Sequence, residues 1–304
     1  MMEKVLNAVL EDCRRYTLEG QVASYIPELA KADNEKIGVY VAMKEGEFCA
    51  GDWDKNFTIQ SIAKTIFLML AAIDNGIDVV KSHVGVEATG KPFNAIDYGD
   101  SVILKEHINP MVNIGAIAVC GMVKAKDNEE RFRRLMEFSK KITGNPDLEI
   151  DREVYRSERE TGNKNRALGY LLKNSGMIYG SVDELLDVYF AMCSMKVNCR
   201  DLANIALMLA NHGKNRQGEQ IIPKADARFL NAVLITSGMY DGSGEFATTV
   251  GIPAKSGVGG GIMADCPNRM GIGIYSPALD RKGNSVAGIK MLEALSREWE
   301  LSIF

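Results

Sequence analysis

Histidine is scarce in this chain. There are three in 304 residues, at positions 83, 107 and 212, and no two share the close spacing of a metal-binding pair. A triad built on histidine must therefore draw on isolated residues, and neither a metal nor any other cofactor is expected. The six cysteines, Cys13, Cys49, Cys120, Cys193, Cys199 and Cys266, include no Cys-x-x-Cys pair. They read as free, buried thiols of a reducing compartment. No apolar run approaches the ~20 residues that cross a bilayer, and the best, 66–73, is too short. The opening "MMEKVLNAVLEDCRRY" is an amphipathic helix of mixed charge, without the apolar core and small-residue cleavage site of a secretion signal. No membrane partner is expected, and the protein is read as cytoplasmic. A basic surface is missing too. Thirty-six Lys and Arg face forty Asp and Glu, a net charge of -4, with no basic stripe interleaved with aromatics. That excludes nucleic acid as a partner. The mixed charges of 124–141 read as a solvated helix face.

What is present is an ordinary globular composition, 46% hydrophobic and 25% charged, in a chain long enough for a large core. "KIGVYVAMKEGEFCAGD" (36–52) reads as a strand, a turn at Glu45-Gly46 and a second strand. From about 63 to 224 the pattern is mostly helical, with a capping box expected at Ser181 and Glu184 and a stop at Gly213. "GIPAKSGVGGGIMADCP" and "RMGIGIYSP" read as adjacent strands, and "SVAGIKMLEALSREWE" as a closing helix. Strands at both ends and helices between predict an α+β fold, an antiparallel sheet from both chain ends with an inserted helical lobe. We expect one domain, 1–304, of two packed lobes: a sheet lobe of about 1–62 and 225–304, and a helical lobe of about 63–224.

The stretch "FTIQSIAKTIFLMLAAIDNG" (57–76) sets Ser61 and Lys64 three apart at the start of a long apolar helix. Residues three apart share a helix face. A serine hydroxyl becomes a nucleophile when a neighbour takes its proton, and a lysine can do so once burial depresses its pKa. The plainer alternative is an N-cap serine beside a snorkelling lysine. "PAKSGVGGGI" (253–262) supplies a second element. Ser-x-x-Lys followed by Lys-Ser-Gly (255–257) parallels the Ser-x-x-Lys and Lys-Thr-Gly of β-lactamases and penicillin-binding proteins. The N–H groups of Ser61 and Val258 could then form an oxyanion hole, and the glycine would let backbone approach a substrate. A glycine-rich strand end and a phosphate loop are the other readings, though the run fits neither nucleotide-binding pattern. The Ser-Asp-Asn element of β-lactamases is absent.

In order along the chain, "VASYIPELA", "IQSIAK", "NPMVNIGAI", "SERETGNKN", "VYFAMCS", "SGMYDGSGEFA", "PAKSGVGGGI" and "GNSVAGI" resemble the motifs of the serine-dependent glutaminase family. The resemblance covers about 20–295. It implies a β-lactamase-like fold, hydrolysis of L-glutamine to L-glutamate and ammonia, and a homodimer or homotetramer. It implies Ser61 as nucleophile and Lys64 as its base, with substrate contacts from Tyr25, Gln60, Asn113, Glu158, Asn165, Tyr189, Tyr240 and the backbone of Val258. These types suit a substrate with an ammonium, a carboxylate and a neutral amide. Glu158 suits the ammonium, while Asn113, Asn165 and Tyr25 or Tyr189 can donate to the carboxylate. Tyr240 could pass a proton to the leaving ammonia. Read alone, Glu158 is a solvated acid, Asn113 a helix cap, Asn165 a helix-start residue, Tyr189 a core aromatic, Tyr240 a loop residue and Tyr25 the residue before a proline turn. Where the family commonly has Asp-Arg, this chain has Asn163-Lys164. A penicillin-reactive acyltransferase and a non-catalytic amino-acid sensor on the same fold are the alternatives.

Overall fold

Glycine alternates with isoleucine in "MGIGIY", and that alternation decides how the sheet is covered. In the computed structural model, which describes residues 2–88, 90, 94, 95 and 108–304, this segment is the strand Met270–Tyr275 (β7). It is central in an antiparallel sheet of order β2-β1-β7-β6-β5. Its neighbours are Gly38–Met43 (β1), Glu47–Gly51 (β2), Ala254–Ser256 (β5) and Gly261–Cys266 (β6). Opposite faces of a strand alternate, so Ile272 and Ile274 share one face with Val39, Val41 and Ile262. That face is covered by the first helix, Met2–Cys13 (α1), and the last, Val286–Trp299, through Leu6, Leu10, Met291 and Leu295. On the other face Gly271 and Gly273 admit the backbone of the helix Cys199–Ala210. A Cβ on Gly273 would stand 2.0 Å from the Cys199 carbonyl oxygen. With both faces covered, β1, β6 and β7 are almost continuously buried.

The expected strand pair, sheet and closing helix are all present, and the sheet does come from both ends of the chain. Among the described residues the segment between is mostly helical, and it takes part in a short ribbon absent from the sequence reading. Phe57–Thr58 (β3) pairs with Lys196–Val197 (β4), and the Ile59 N–H donates to the Met195 carbonyl. This short ribbon fixes the entry to Ser61. A single 3-10 turn, Gln60–Ile62, then leads into the helix Ala63–Asn75 (α2). Every residue of α2 from Ala63 to Ala72 is buried, as befits a helix apolar on all sides. It packs against the helix Asn113–Met122 (α4, following Ile77–His83).

Two local readings need correction. At Ser181 only half of the capping box forms: its hydroxyl accepts from the Glu184 N–H, while the Glu184 carboxylate turns to Asn128. The reciprocal box lies at Asn198 and Asp201 instead. All six cysteines are free, and five are buried, with Cys49 half-buried. No helix among the described residues is long and apolar enough to cross a membrane. His107 lies outside the described residues.

Candidate functional site

Ser61 does not cap a helix. Neither the 3-10 turn nor α2 has a side-chain cap at its N-terminus. The Lys64 ammonium donates to the Ser61 hydroxyl at 3.2 Å and to Asn113 Oδ1 at 2.7 Å. Asn113 in turn donates through Nδ2 to Asn165 Oδ1 at 2.9 Å. Lys64 is wholly buried. Burial pushes its pKa down to about 8, against the upward pull of Cys193 and Glu158. A lysine that can give up its proton near pH 8 therefore faces a serine hydroxyl, which is the requirement for activating it.

The four residues Ser61, Lys64, Asn113 and Asn165 reach one another from the 3-10 turn and three helices. Asn113 opens α4, and Asn165 sits in the first turn of the helix Asn163–Asn174. In front of them lies a cavity of about 240 Å3, lined by Tyr25, Gln60, Ser61, Asn113, Glu158, Asn165 and Tyr189 among others. Glu158, on the helix Arg152–Thr161, is 8% exposed, so it is not a solvated acid. Burial raises its carboxyl to about 7, opposed by a hydrogen bond from Gln60 and the charge of Lys64. Tyr189, from the helix Val182–Cys193, is both core aromatic and cavity wall, stacked against Phe67 at 5.6 Å. Tyr25 stands at the rim, 54% exposed. Asn163 and Lys164, where the chain departs from the Asp-Arg pattern, also line the cavity.

Tyr240 and Val258 reach Ser61 from the sheet side. Burial raises the Tyr240 phenol above its usual range, while hydrogen bonds with the Ser61 side chain and the Val258 backbone act in the opposite direction. Gln60 and Tyr240 both have left-handed φ, +50° and +52°. Non-glycine residues adopt that conformation at a cost of about 1–2 kcal/mol, and such strain gathers at functional sites. The glycine of Lys-Ser-Gly also makes a close contact within the chain. A Cβ on Gly257 would stand 2.7 Å from the Ile59 carbonyl oxygen, so Gly257 lets the strand end lie against the segment that carries Ser61.

Comparisons with known proteins identify the family. The glutaminase family model matches residues 20–304. The chain belongs to the glutaminase family. It is 51% identical to a glutaminase of Clostridium tetani over the full length of both chains. Among solved structures it is similar to a probable glutaminase of Bacillus subtilis complexed with 6-diazo-5-oxo-L-norleucine (39% identity, TM-score 0.90, covering 98% of this chain and 95% of that one). It is equally similar to the covalent complex of the Bacillus subtilis glutaminase YbgJ with 5-oxo-L-norleucine, formed by reaction with the diazo compound (38% identity, TM-score 0.91, all of both chains). The fold is the β-lactamase-like fold of the bacterial members of this family.

Some cavity residues escaped the sequence reading. Cys193 and Thr161 line it, and a signal existed for both. Cys193 follows Tyr189 by four residues and Thr161 follows Glu158 by three, so each shares a helix face with a residue already singled out. Asn94 also lines it, and no local pattern marks it.

Proposed function

We infer that this glutaminase cleaves the side-chain amide of L-glutamine through an ester on Ser61. The observation that carries the reading is the buried Lys64 ammonium held between Ser61 Oγ and Asn113 Oδ1, two residues that line the cavity. Deprotonated Lys64 takes the Ser61 proton as Oγ attacks the amide carbon. The negative oxygen that develops is stabilised by the N–H groups of Ser61 and Val258. The tetrahedral intermediate collapses as the amide nitrogen gains a proton through Tyr240 and leaves as ammonia. Water, deprotonated by Lys64, then opens the γ-glutamyl ester and regenerates Ser61. Glu158 receives the substrate ammonium, and Asn165, Tyr25 and Tyr189 surround its carboxylate, with Gln60 and Asn113 orienting the chain between. A cavity of about 240 Å3 suits one free amino acid.

The six unpaired cysteines support a cytoplasmic enzyme, and the family resemblance supports a homodimer or homotetramer, to be read by light scattering. The reaction is tested by ammonia release from L-glutamine, D-glutamine and L-asparagine. Release from L-glutamine that disappears in Ser61→Ala is expected. Labelling by 6-diazo-5-oxo-L-norleucine, mapped by mass spectrometry, should fall on the Ser61 peptide. Turnover retained in Ser61→Ala, or a label elsewhere, overturns the mechanism.

A further inference from the structure

Tyr240 occupies a left-handed backbone position, and something must hold it there. Part of the grip is local. The Ser243 hydroxyl accepts from the Met239 N–H at 3.0 Å and donates to the Tyr240 carbonyl at 2.9 Å, and Asn284 donates to the Met239 carbonyl. The rest comes from the neighbouring strand. Lys255, on β5, is wholly buried. Its ammonium donates to the Gly238 carbonyl at 3.1 Å and the Ser256 carbonyl at 2.7 Å, and stands 4.4 Å from the centre of the Tyr240 ring. An ammonium has three N–H donors. Two carbonyls and one aromatic face use all three, and a cation over a desolvated ring is attracted by its quadrupole. Lys255 therefore grips Tyr240 twice, on the ring itself and on the backbone two residues before it. The Gly238 carbonyl also accepts from the Ser256 N–H at 3.1 Å, so the tyrosine loop is tied to the strand that leads into Val258.

We propose that Lys255 is a positioning residue, whose ammonium clamps Tyr240 so that the phenol stays on Ser61 beside the Val258 N–H. The proposal rests on the roles of Ser61 and Tyr240 given above. It assigns the Lys-Ser-Gly lysine a task separate from proton abstraction: its ammonium donates to backbone carbonyls, whereas the lysine that bonds Ser61 Oγ is Lys64. Burial and the nearby Lys64 disfavour its charge, so the clamp rests on the two carbonyls and the ring face that surround the ammonium.

The test is a double-mutant cycle between Lys255→Met and Tyr240→Phe, read as kcat and KM for L-glutamine. Each single variant should lose about 100-fold in kcat, the lower range of a general-acid contribution, with little change in KM. The double variant should be no slower than the slower single one, since a misplaced phenol and a missing phenol have the same consequence. Losses that multiply, a change confined to KM, or an unaffected kcat in either single variant would overturn the proposal. If Lys255→Met melts below the assay temperature, Lys255→Arg keeps the cation and replaces it in the cycle. A loss from Lys255→Arg that persists in full on the Tyr240→Phe background would refute the clamp. Ser61→Ala assayed in parallel separates the two levels: turnover surviving there rejects the seryl-ester mechanism itself, whatever the cycle shows.

Discussion

Replacing Glu158 by Gln should make the protein more stable and a worse enzyme. Burial raises the Glu158 carboxyl from 4.5 to about 7. The folded state therefore binds this proton more tightly than the unfolded chain. Between pH 4.5 and 7 stability falls as pH rises, and above about pH 7 the whole cost of holding a buried carboxylate is present. At about 1.4 kcal/mol per pKa unit the shift corresponds to about 3 kcal/mol, an upper value because Glu158→Gln also removes a counter-charge from Lys64. Thermal melts of both proteins at pH 4, 5, 6, 7 and 8 should show no gap at pH 4. By pH 8 the variant should melt higher by about 5 °C. In the same variant KM should rise about 10- to 100-fold, the worth of a hydrogen bond between charged groups, with kcat changed far less. A stability gap independent of pH would show that the carboxylate is not strained by burial. An unchanged KM would show that it does not receive the substrate ammonium.

Other consequences follow from the same geometry. Lys64 must be neutral to act as base, and burial lowers it to about 8, so kcat/KM should rise through inflections near pH 7 and pH 8. The rise should be steepest below pH 7, and a rate that falls between pH 7 and 8 would reject Lys64 as base. The same shift costs stability below about pH 8, relieved as pH climbs toward 10.5. Asn113→Asp sets a carboxylate where Oδ1 now lies 2.7 Å from the Lys64 ammonium. It should raise the Lys64 pKa by about 1–3 units and move the activity limb up by as much in a pH-rate profile. Gly273→Ala drives a Cβ against the Cys199 carbonyl, where 2.0 Å is free. It should lower stability by about 3 kcal/mol or more, measured by urea denaturation, whereas Gly46→Ala on the open β1–β2 turn, with nothing within 4 Å, should suffer only the strain of its positive φ.

Much of the fold was legible because its signals are local. The strand-turn-strand of 36–52, the glycine-isoleucine strand and the closing helix depend on periodicity and turn residues within a few positions, and each forms where expected. The ribbon between Phe57–Thr58 and Lys196–Val197 was not legible, since two residues carry no period. Ser181 was half legible: its hydroxyl caps, but the Glu184 carboxylate answers to Asn128, more than fifty residues away.

The candidate site divides in the same way. The sequence by itself set Ser61 and Lys64 on one face, because three residues is nearly a helical turn, and it put Lys255 and Val258 at a glycine-rich strand end. The ordered motifs then marked Asn113, Glu158, Asn165 and the tyrosines. Only the tertiary structure decided what those side chains are chemically. Lys64 gives up its proton near pH 8 because α2 is buried on every side, while Asn113, forty-nine residues on, accepts a hydrogen bond from its ammonium. Glu158 stands beside Arg159 and Glu160 in a sequence that reads as solvent-facing, yet the fold removes it from water and raises its pKa. Desolvation is a property of everything packed around a group, and no local pattern encodes it.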